Sequence, residues 1–369
     1  MNFRAAVLAE VGQPLQTETL ELRGLADTDV LVRIEATSIC HTDVEVIDGH
    51  LAVPLPLVPG HEGAGTVEKV GKGVRSLKVG DSVVLSWNPH CGGCFFCQRN
   101  QPILCAQYTT RAASAFHIDG MPRLFRAGEA VHQLMYTGSF AEYAVVTEQC
   151  AVKVPAELPP ELACLIGCGV MTGVGAALNV AKVQPCDIVT VIGCGAVGLS
   201  AVQGARLAGA KQIIAIDRNA RRLEVATIVG ATHTLLADNG LQEAHAALTE
   251  CRGADHVFEA AGNEAAFRSS LELARPGGHV VWLGKLPPQR EVALRWGSLM
   301  GEKRIVRSSY GGARPQRDFP LLAQACLEGR LQLAPYITSR IGLQDINEGM
   351  DRLRGGLDIR AVILRQLSA

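Results

Sequence analysis

Residues 188–198 read Ile188-Val189-Thr190-Val191-Ile192-Gly193-Cys194-Gly195-Ala196-Val197-Gly198. Five consecutive apolar or β-branched residues make a strand, and the strand runs directly into three glycines spaced G-x-G-x-x-G. A helical stretch follows, then a second strand at 212–216, and Asp217 stands nineteen residues after Gly198. Gly193, Gly195 and Gly198 permit a tight turn and let a pyrophosphate approach the N-terminus of the following helix, whose unpaired N–H groups and dipole favour an anion. The spacing alone is weak, but a strand before it, a helix after it and an acid closing the next strand give it the context of a dinucleotide fingerprint. Asp217 would take the ribose hydroxyls of NAD and repel the 2′-phosphate of NADP, with Arg218 beside it pulling weakly the other way.

Outward from that point the texture divides the chain. Downstream, a helix through 221–229 and strands at 234–236, 255–259 and 279–283 continue the alternation, so a parallel doubly wound sheet is expected. Upstream, Val30, Val32, Ile34 and Ala36 alternate with Leu31, Arg33 and Glu35 as a half-buried strand would. Turn signals recur at Gly12, Gly49, Gly71-Lys72-Gly73 and Gly80-Asp81, which suggests a small β-rich domain. Beyond about residue 310 helical pieces at 319–329 and 345–354 precede a last strand at 361–364. No repeat or low-complexity tract interrupts the chain.

A chain of 369 residues is comfortable for two domains. Its 35 basic and 36 acidic residues are mixed throughout and leave a net charge of −1, so no electrostatic footprint for nucleic acid or an anionic membrane is present. The opening Met1-Asn2-Phe3-Arg4-Ala5-Ala6-Val7 lacks the build of a signal peptide, and a cytoplasmic protein is expected. Two uncharged stretches, 162–181 and 188–205, are long enough to resemble membrane spans, yet both are studded with glycine and carry motifs. They read as buried segments of a large α/β core.

Twelve cysteines in such a chain argue for metal or thiol chemistry before disulfides. Cys91, Cys94, Cys97 and Cys105 place four thiols within fifteen residues, among Gly92, Gly93 and Pro102, which let a loop fold back on itself. Four thiolates complete a tetrahedron around zinc with no open position, so this site would hold shape and do no chemistry. A redox pair would not need four evenly placed cysteines. A zinc knuckle for single-stranded nucleic acid would carry basic and aromatic neighbours.

A second set is scattered. Cys40-His41-Thr42-Asp43 follows the early strand, Gly60-His61-Glu62-Gly63 comes twenty residues later, and Gly167-Cys168-Gly169 lies far downstream. Cys40, His61 and Cys168 would give zinc two sulfurs and one nitrogen and leave a fourth position open, as a catalytic zinc requires. Zinc lowers the pKa of a bound hydroxyl, water falling to about 7, and so eases loss of hydride from an alcohol carbon. Asp43 could fix the tautomer of His61, Thr42 could relay the alcohol proton, and Glu62 could serve as a transient or supporting ligand. Taken singly, each cysteine could be a small core residue and His61 an ordinary loop histidine.

With both zinc patterns and the fingerprint in this order, the chain resembles the zinc-containing medium-chain alcohol dehydrogenases over essentially its whole length. It looks nearest the branch of thiol-dependent formaldehyde dehydrogenases and benzyl and allylic alcohol dehydrogenases, through Leu165-Ile166-Gly167-Cys168-Gly169-Val170-Met171-Thr172-Gly173 and Ser308-Ser309-Tyr310-Gly311-Gly312. The resemblance implies an α/β architecture: a GroES-like β-rich catalytic domain over 1–169 with the zinc loop 91–105, a Rossmann doubly wound NAD-binding domain over 170–309, and a return to the catalytic domain over 310–369, with the substrate in the cleft between. By matching motif, His41 and Arg360 would contact the cofactor pyrophosphate, Thr172 and Val197 would press on the nicotinamide, Arg222 would help hold the adenosine, and Trp87, Leu134 and Met135 would line the substrate pocket.

Two departures matter. Glu45 stands where many relatives end the proton relay with a histidine, so it is either the terminal base or a sign of another route. The arginine with which relatives grip glutathione is unmatched after Cys105, where Ala106-Gln107-Tyr108-Thr109 stand with Arg111 nearby. The expectation is therefore NAD-linked, reversible oxidation of a primary, aromatic or allylic alcohol by a protein with two zinc ions per subunit. Segment 112–138 keeps the longer form seen in dimeric members of the family it resembles, and the resemblance thus implies a homodimer rather than a tetramer. The competing readings are a thiol–formaldehyde adduct as substrate and, from another class, a non-catalytic zinc-binding scaffold. Cys150, Cys164, Cys186, Cys194, Cys251 and Cys326 are expected to be buried thiols.

Overall fold

A computed structural model describes residues 1–108, 116–287 and 289–368. Their contacts divide the chain into two compact units, one made of 1–168, 314–329 and 336–369, the other of 169–313 and 330–335.

The second unit carries the fingerprint. Numbered within this unit in chain order, its strands are β1 (Ile188–Ile192), β2 (Gln212–Asp217), β3 (His233–Leu236), β4 (Ala254–Glu259), β5 (Ala274–Trp282) and β6 (Arg304–Arg307). They form one sheet in the order β3-β2-β1-β4-β5-β6 with every neighbouring pair parallel. That order is the Rossmann arrangement, and its direction reverses between β1 and β4, where the crevice for a ligand opens at the carboxyl ends of the strands. All five residues of β1 are buried, as a strand covered on both faces must be. The helices Leu241–Leu248 and Glu264–Leu273, which carry no glycine or proline signals of their own, and the edge strand β6 complete the alternation begun by the quoted stretch.

The first unit is β-rich. Its larger sheet of seven strands is centred on Asp29–Ser38, which pairs with Gly63–Val70, Tyr143–Thr147 and Arg360–Leu364, all antiparallel. A second sheet joins Asn2–Val7, Gln16–Leu22, Leu124–Arg126, Glu129–Gln133 and Leu57–Val58. The pairing with Arg360–Leu364 ties the C-terminal segment to the first 40 residues, with Val362 opposite Ser38.

The central strand corrects one expectation. Leu31 is as fully buried as Val30 and Val32, because Val30, Val32 and Ile34 face one core cluster while Leu31 faces another with Val7, Leu20 and Val145. Only Arg33 and Glu35 keep partial exposure, so the strand is covered on both faces for most of its length. Cys186 and Cys251 are exposed rather than buried, each in a turn at positive φ (76° and 58°). The uncharged stretch at 162–181 belongs to a 22-residue helical run, Pro160–Ala181, long and apolar enough by composition to cross a membrane, with 72% of its most apolar window buried. The stretch at 188–205 is β1, its glycine turn and the following helix.

Candidate metal centre and dinucleotide site

The metal centre is built where three segments meet at the end of the strand Asp29–Ser38. On one side Ser38 N–H donates to Glu62 O at 3.0 Å, and on the other Ile39 N–H donates to Ala361 O at 3.0 Å. The chain then turns into the short helix His41–Ile47, for which Cys40 is the N-cap residue. Asp43, at the third helical position, accepts the Cys40 N–H at 3.0 Å and so closes the first turn. The same carboxylate accepts Gly60 N–H at 3.0 Å and faces His61 Nδ1 at 3.2 Å. Asp43 therefore fixes the helix start, the loop and the imidazole together, leaving Nε2 of His61 to turn to the thiols.

Gly60 sits at φ +88°, and a Cβ there would lie 2.6 Å from the Phe140 ring and 2.7 Å from Phe140 N, so only glycine lets the loop pass. Thr137 Oγ1 and Ser139 N both donate to Gly60 O, at 3.1 and 3.0 Å. The third ligand comes from a π-helical turn, Ile166–Val170, the kind of local widening that recurs at functional sites. Gly167 makes room for it, since a Cβ there would meet Leu85 O at 2.6 Å.

Cys40, His61, Glu62 and Cys168 thus offer ligand atoms that all lie within 4.8 Å of one another. Two sulfurs and an imidazole nitrogen are a donor set suited to zinc. Hydrogen bonding from Cys168, reinforced by His61 and Arg360, holds the Cys40 thiol well below the usual thiol range despite burial. Burial opposes a charged His61, but Asp43 and Cys40 outweigh it and raise its pKa. Glu62 is fully buried; burial pushes its pKa up to about 8 while Arg360 pulls it down. Arg360, read from the resemblance as a pyrophosphate contact, is 4% exposed and donates to Glu62 Oε1 at 3.2 Å. Glu62 Oε2 has no hydrogen-bond partner among the described residues.

Thr42 is buried, Glu45 half-buried and His41 exposed on the same helix. Leu134 has no exposed surface and packs in a core cluster with Val44, Ile47 and Phe140. Met135, at φ 50°, and Trp87 keep partial exposure. Thr109 and Arg111 lie outside the described residues.

The loop site has the expected form. Cys91, Cys94, Cys97 and Cys105 also group within 4.8 Å, with Sγ–Sγ separations of 4.0 Å for Cys91–Cys97 and Cys94–Cys105. A tetrahedron with Zn–S bonds of about 2.3 Å has edges of about 3.8 Å. Cys94 N–H points at Cys91 Sγ (3.3 Å) and Cys91 N–H at Cys105 Sγ (3.4 Å). Backbone hydrogen bonds at Cys97 and Ala106 lower the Cys94 thiol to about 6, whereas burial raises Cys97 to about 12.

In the second unit Gly193 follows β1 at φ +93°, and Gly195 is the N-cap of the helix Ala196–Leu207. A Cβ on Gly198 would lie 1.7 Å from Gly193 O, and one on Gly193 would lie 2.7 Å from Ala261 N. Around Gly195 nothing lies within 4 Å of such an atom, so the backbone there is open to a phosphate. Asp217, at the end of β2, accepts Cys194 N–H at 2.6 Å and Asn219 N–H at 2.8 Å, which orients it beside the turn. Arg218 is exposed and Arg222 partly so. The helix Met171–Gly175 packs so closely on Ala196–Leu207 that a Cβ on Gly173 would sit 2.2 Å from Val197 O, which brings Thr172 and Val197 to one place. Glu259 closes the otherwise apolar end of β4, an acid that no sequence motif marks.

Comparison with known proteins agrees with this construction. The alcohol dehydrogenase GroES-like domain family matches residues 26–156 and the zinc-binding dehydrogenase family matches 196–328. An S-(hydroxymethyl)glutathione dehydrogenase of Synechocystis sp. is 38% identical over 98% of this chain and 100% of its own length. A class-3 alcohol dehydrogenase of Myxine glutinosa is 36% identical over 98% of both. Among solved structures, benzyl alcohol dehydrogenase from Acinetobacter calcoaceticus superposes with a TM-score of 0.93 at 31% identity over the full length of both chains. An alcohol dehydrogenase zinc-binding domain protein from Burkholderia ambifaria reaches 0.94 at 34% identity, covering 99% of each. The chain belongs to the zinc-dependent medium-chain alcohol dehydrogenases and is an oxidoreductase of that family.

Proposed function

We propose that this enzyme oxidises primary alcohols of aromatic or allylic type to aldehydes, reversibly and with NAD. The observation that carries the reading is the convergence of Cys40, His61 and Cys168 from three distant segments, with Asp43 steering the histidine. These three residues would hold zinc, which supplies Lewis acidity toward the alcohol oxygen. The dinucleotide supplies the hydride acceptor. Thr42 Oγ1 would take the hydroxyl proton while passing on its own, and Glu45, three residues further along the same helix, would receive it. Thr172 and Val197 would press on the nicotinamide, and Asp217 would favour NAD over NADP. Support for the substrate class comes from the likeness to benzyl alcohol dehydrogenase.

A second reading, oxidation of a thiol–formaldehyde adduct, is favoured by relatives named S-(hydroxymethyl)glutathione dehydrogenase. Turnover of benzyl and cinnamyl alcohols against the glutathione and mycothiol adducts of formaldehyde, each with both nicotinamide cofactors, separates the two. Preference for an adduct replaces the first reading by the second, and failure on every alcohol and adduct removes both. We further infer a homodimer, on the strength of the open edge strand β6 and the exposed Trp296 (79%) and Met300 (64%) beside it in sequence.

A further inference from the structure

The strand order of the second unit orders the parts of a bound dinucleotide. Asp217 closes β2 and marks the adenosine ribose; the Gly193–Gly198 turn after β1 marks the pyrophosphate. Continuing along β2-β1-β4-β5, the nicotinamide half falls over the ends of β4 and β5. Glu259 is the last residue of β4 and is fully buried.

Its contacts tie several strand ends together. Oε1 accepts the backbone N–H of Ala261 at 2.8 Å and of Gly262 at 2.7 Å. Its main-chain oxygen accepts Leu283 N–H at 2.7 Å and Gly284 N–H at 3.0 Å, at the end of β5. Ala260 N–H donates to Ile192 O at 2.8 Å, and the Gly193 turn is packed against Ala260 and Ala261. Oε2 has no hydrogen-bond partner among the described residues and lies where a Cβ on Gly284 would come within 2.4 Å. Burial pushes the carboxyl up to about 7, against the pull of those backbone donors and of Arg307. An ionisable group is an expensive way to brace a loop, so a fully buried carboxyl at the end of β4, opposite Ile192 of β1, calls for a use.

We propose that Glu259 is a positioning residue for the nicotinamide half of the cofactor: through Ala261 and Gly262 it sets the wall formed by 260–262 and the end of β5. The proposal rests on the reading of this unit as the dinucleotide site. ADP-ribose, which carries the adenosine and pyrophosphate but no nicotinamide, provides the control. In the zinc-loaded full chain, Glu259→Ala raises the dissociation constant for NADH by about ten-fold or more and leaves that for ADP-ribose within about two-fold. Glu259→Gln keeps an acceptor oxygen and stays within about three-fold of the parent for both ligands. The KM for NAD rises in the alanine variant while that for the alcohol does not. Melting curves check folding, and if the alanine variant does not fold, Glu259→Asp, whose shorter arm draws the oxygen away, shows the same split. Equal weakening of NADH and ADP-ribose, or no weakening of NADH, overturns the inference. Parent protein that binds neither ligand overturns the dinucleotide reading beneath it.

Discussion

Asp43 shows how much one side chain can decide. Its carboxylate meets three nitrogens: Cys40 N, Gly60 N and His61 Nδ1. An asparagine there keeps one acceptor oxygen and turns an amide toward donors. Asp43→Asn should therefore cost about 10- to 100-fold in zinc affinity or alcohol turnover, the range found for partners of metal-bound histidines, with NADH binding retained. Unchanged metal affinity measured by competition with a chelator would show that His61 needs no such guide. At this scale the sequence was a good guide wherever chemistry restricts the residue type: the cysteines, His61 and the three glycines announce themselves. Glu259 and the Arg360–Glu62 pair did not, because burial and pairing across 298 positions in the chain are set by tertiary packing that no local pattern carries.

Among the elements, the strand, turn and helix around Gly193 distinguish two uses of glycine. Gly198 is required by the fold, since a methyl group would lie 1.7 Å from Gly193 O; Gly195 is open on that side. Gly198→Ala should lower the stability of the protein by about 1–3 kcal/mol, the range for overpacked sites, and abolish NADH binding. Gly195→Ala should melt within about a degree or two of the parent, as uncrowded substitutions do, yet bind NADH at least about ten-fold more weakly. Equal loss of stability in the two variants would contradict this division. Unbroken apolar runs bounded by turn signals, such as β1 and β2, were legible from sequence. The helices Leu241–Leu248 and Glu264–Leu273 and the strand β6 were not assigned from the sequence, although the second helix buries Ala266, Phe267, Ser270 and Leu271 at a helical spacing that was there to be read. The double-sided burial of Asp29–Ser38 was hidden because its second cover, including Leu20 and Val145, comes from strands that no alternation pattern assigns to it.

On the scale of the whole molecule, the chain returns on itself: Arg360–Leu364 completes a sheet begun by Asp29–Ser38, and the metal ligands come from positions 40, 61 and 168. Composition and motif order indicated the α/β class, whereas the strand neighbours that make the return possible could be read only from the structure. Assembly is open to the same reasoning. Sedimentation of the pure protein should give twice the mass of one chain, and Trp296→Asp should shift it toward the monomer by replacing an exposed apolar side chain with a charge. A parent that sediments as a monomer at micromolar concentration would remove the dimer.

Of the two metal sites among the described residues, we infer that the one held by Cys40, His61 and Cys168 does the chemistry. Zinc per chain, counted in the parent and in Cys168→Ala with benzyl alcohol turnover and NADH affinity measured on the same samples, tests it most directly. The expected result is two zinc ions and turnover in the parent, against one zinc ion, no turnover and undiminished NADH affinity in the variant. A parent that never holds more than the loop ion, or a variant that still oxidises alcohol, would contradict the account.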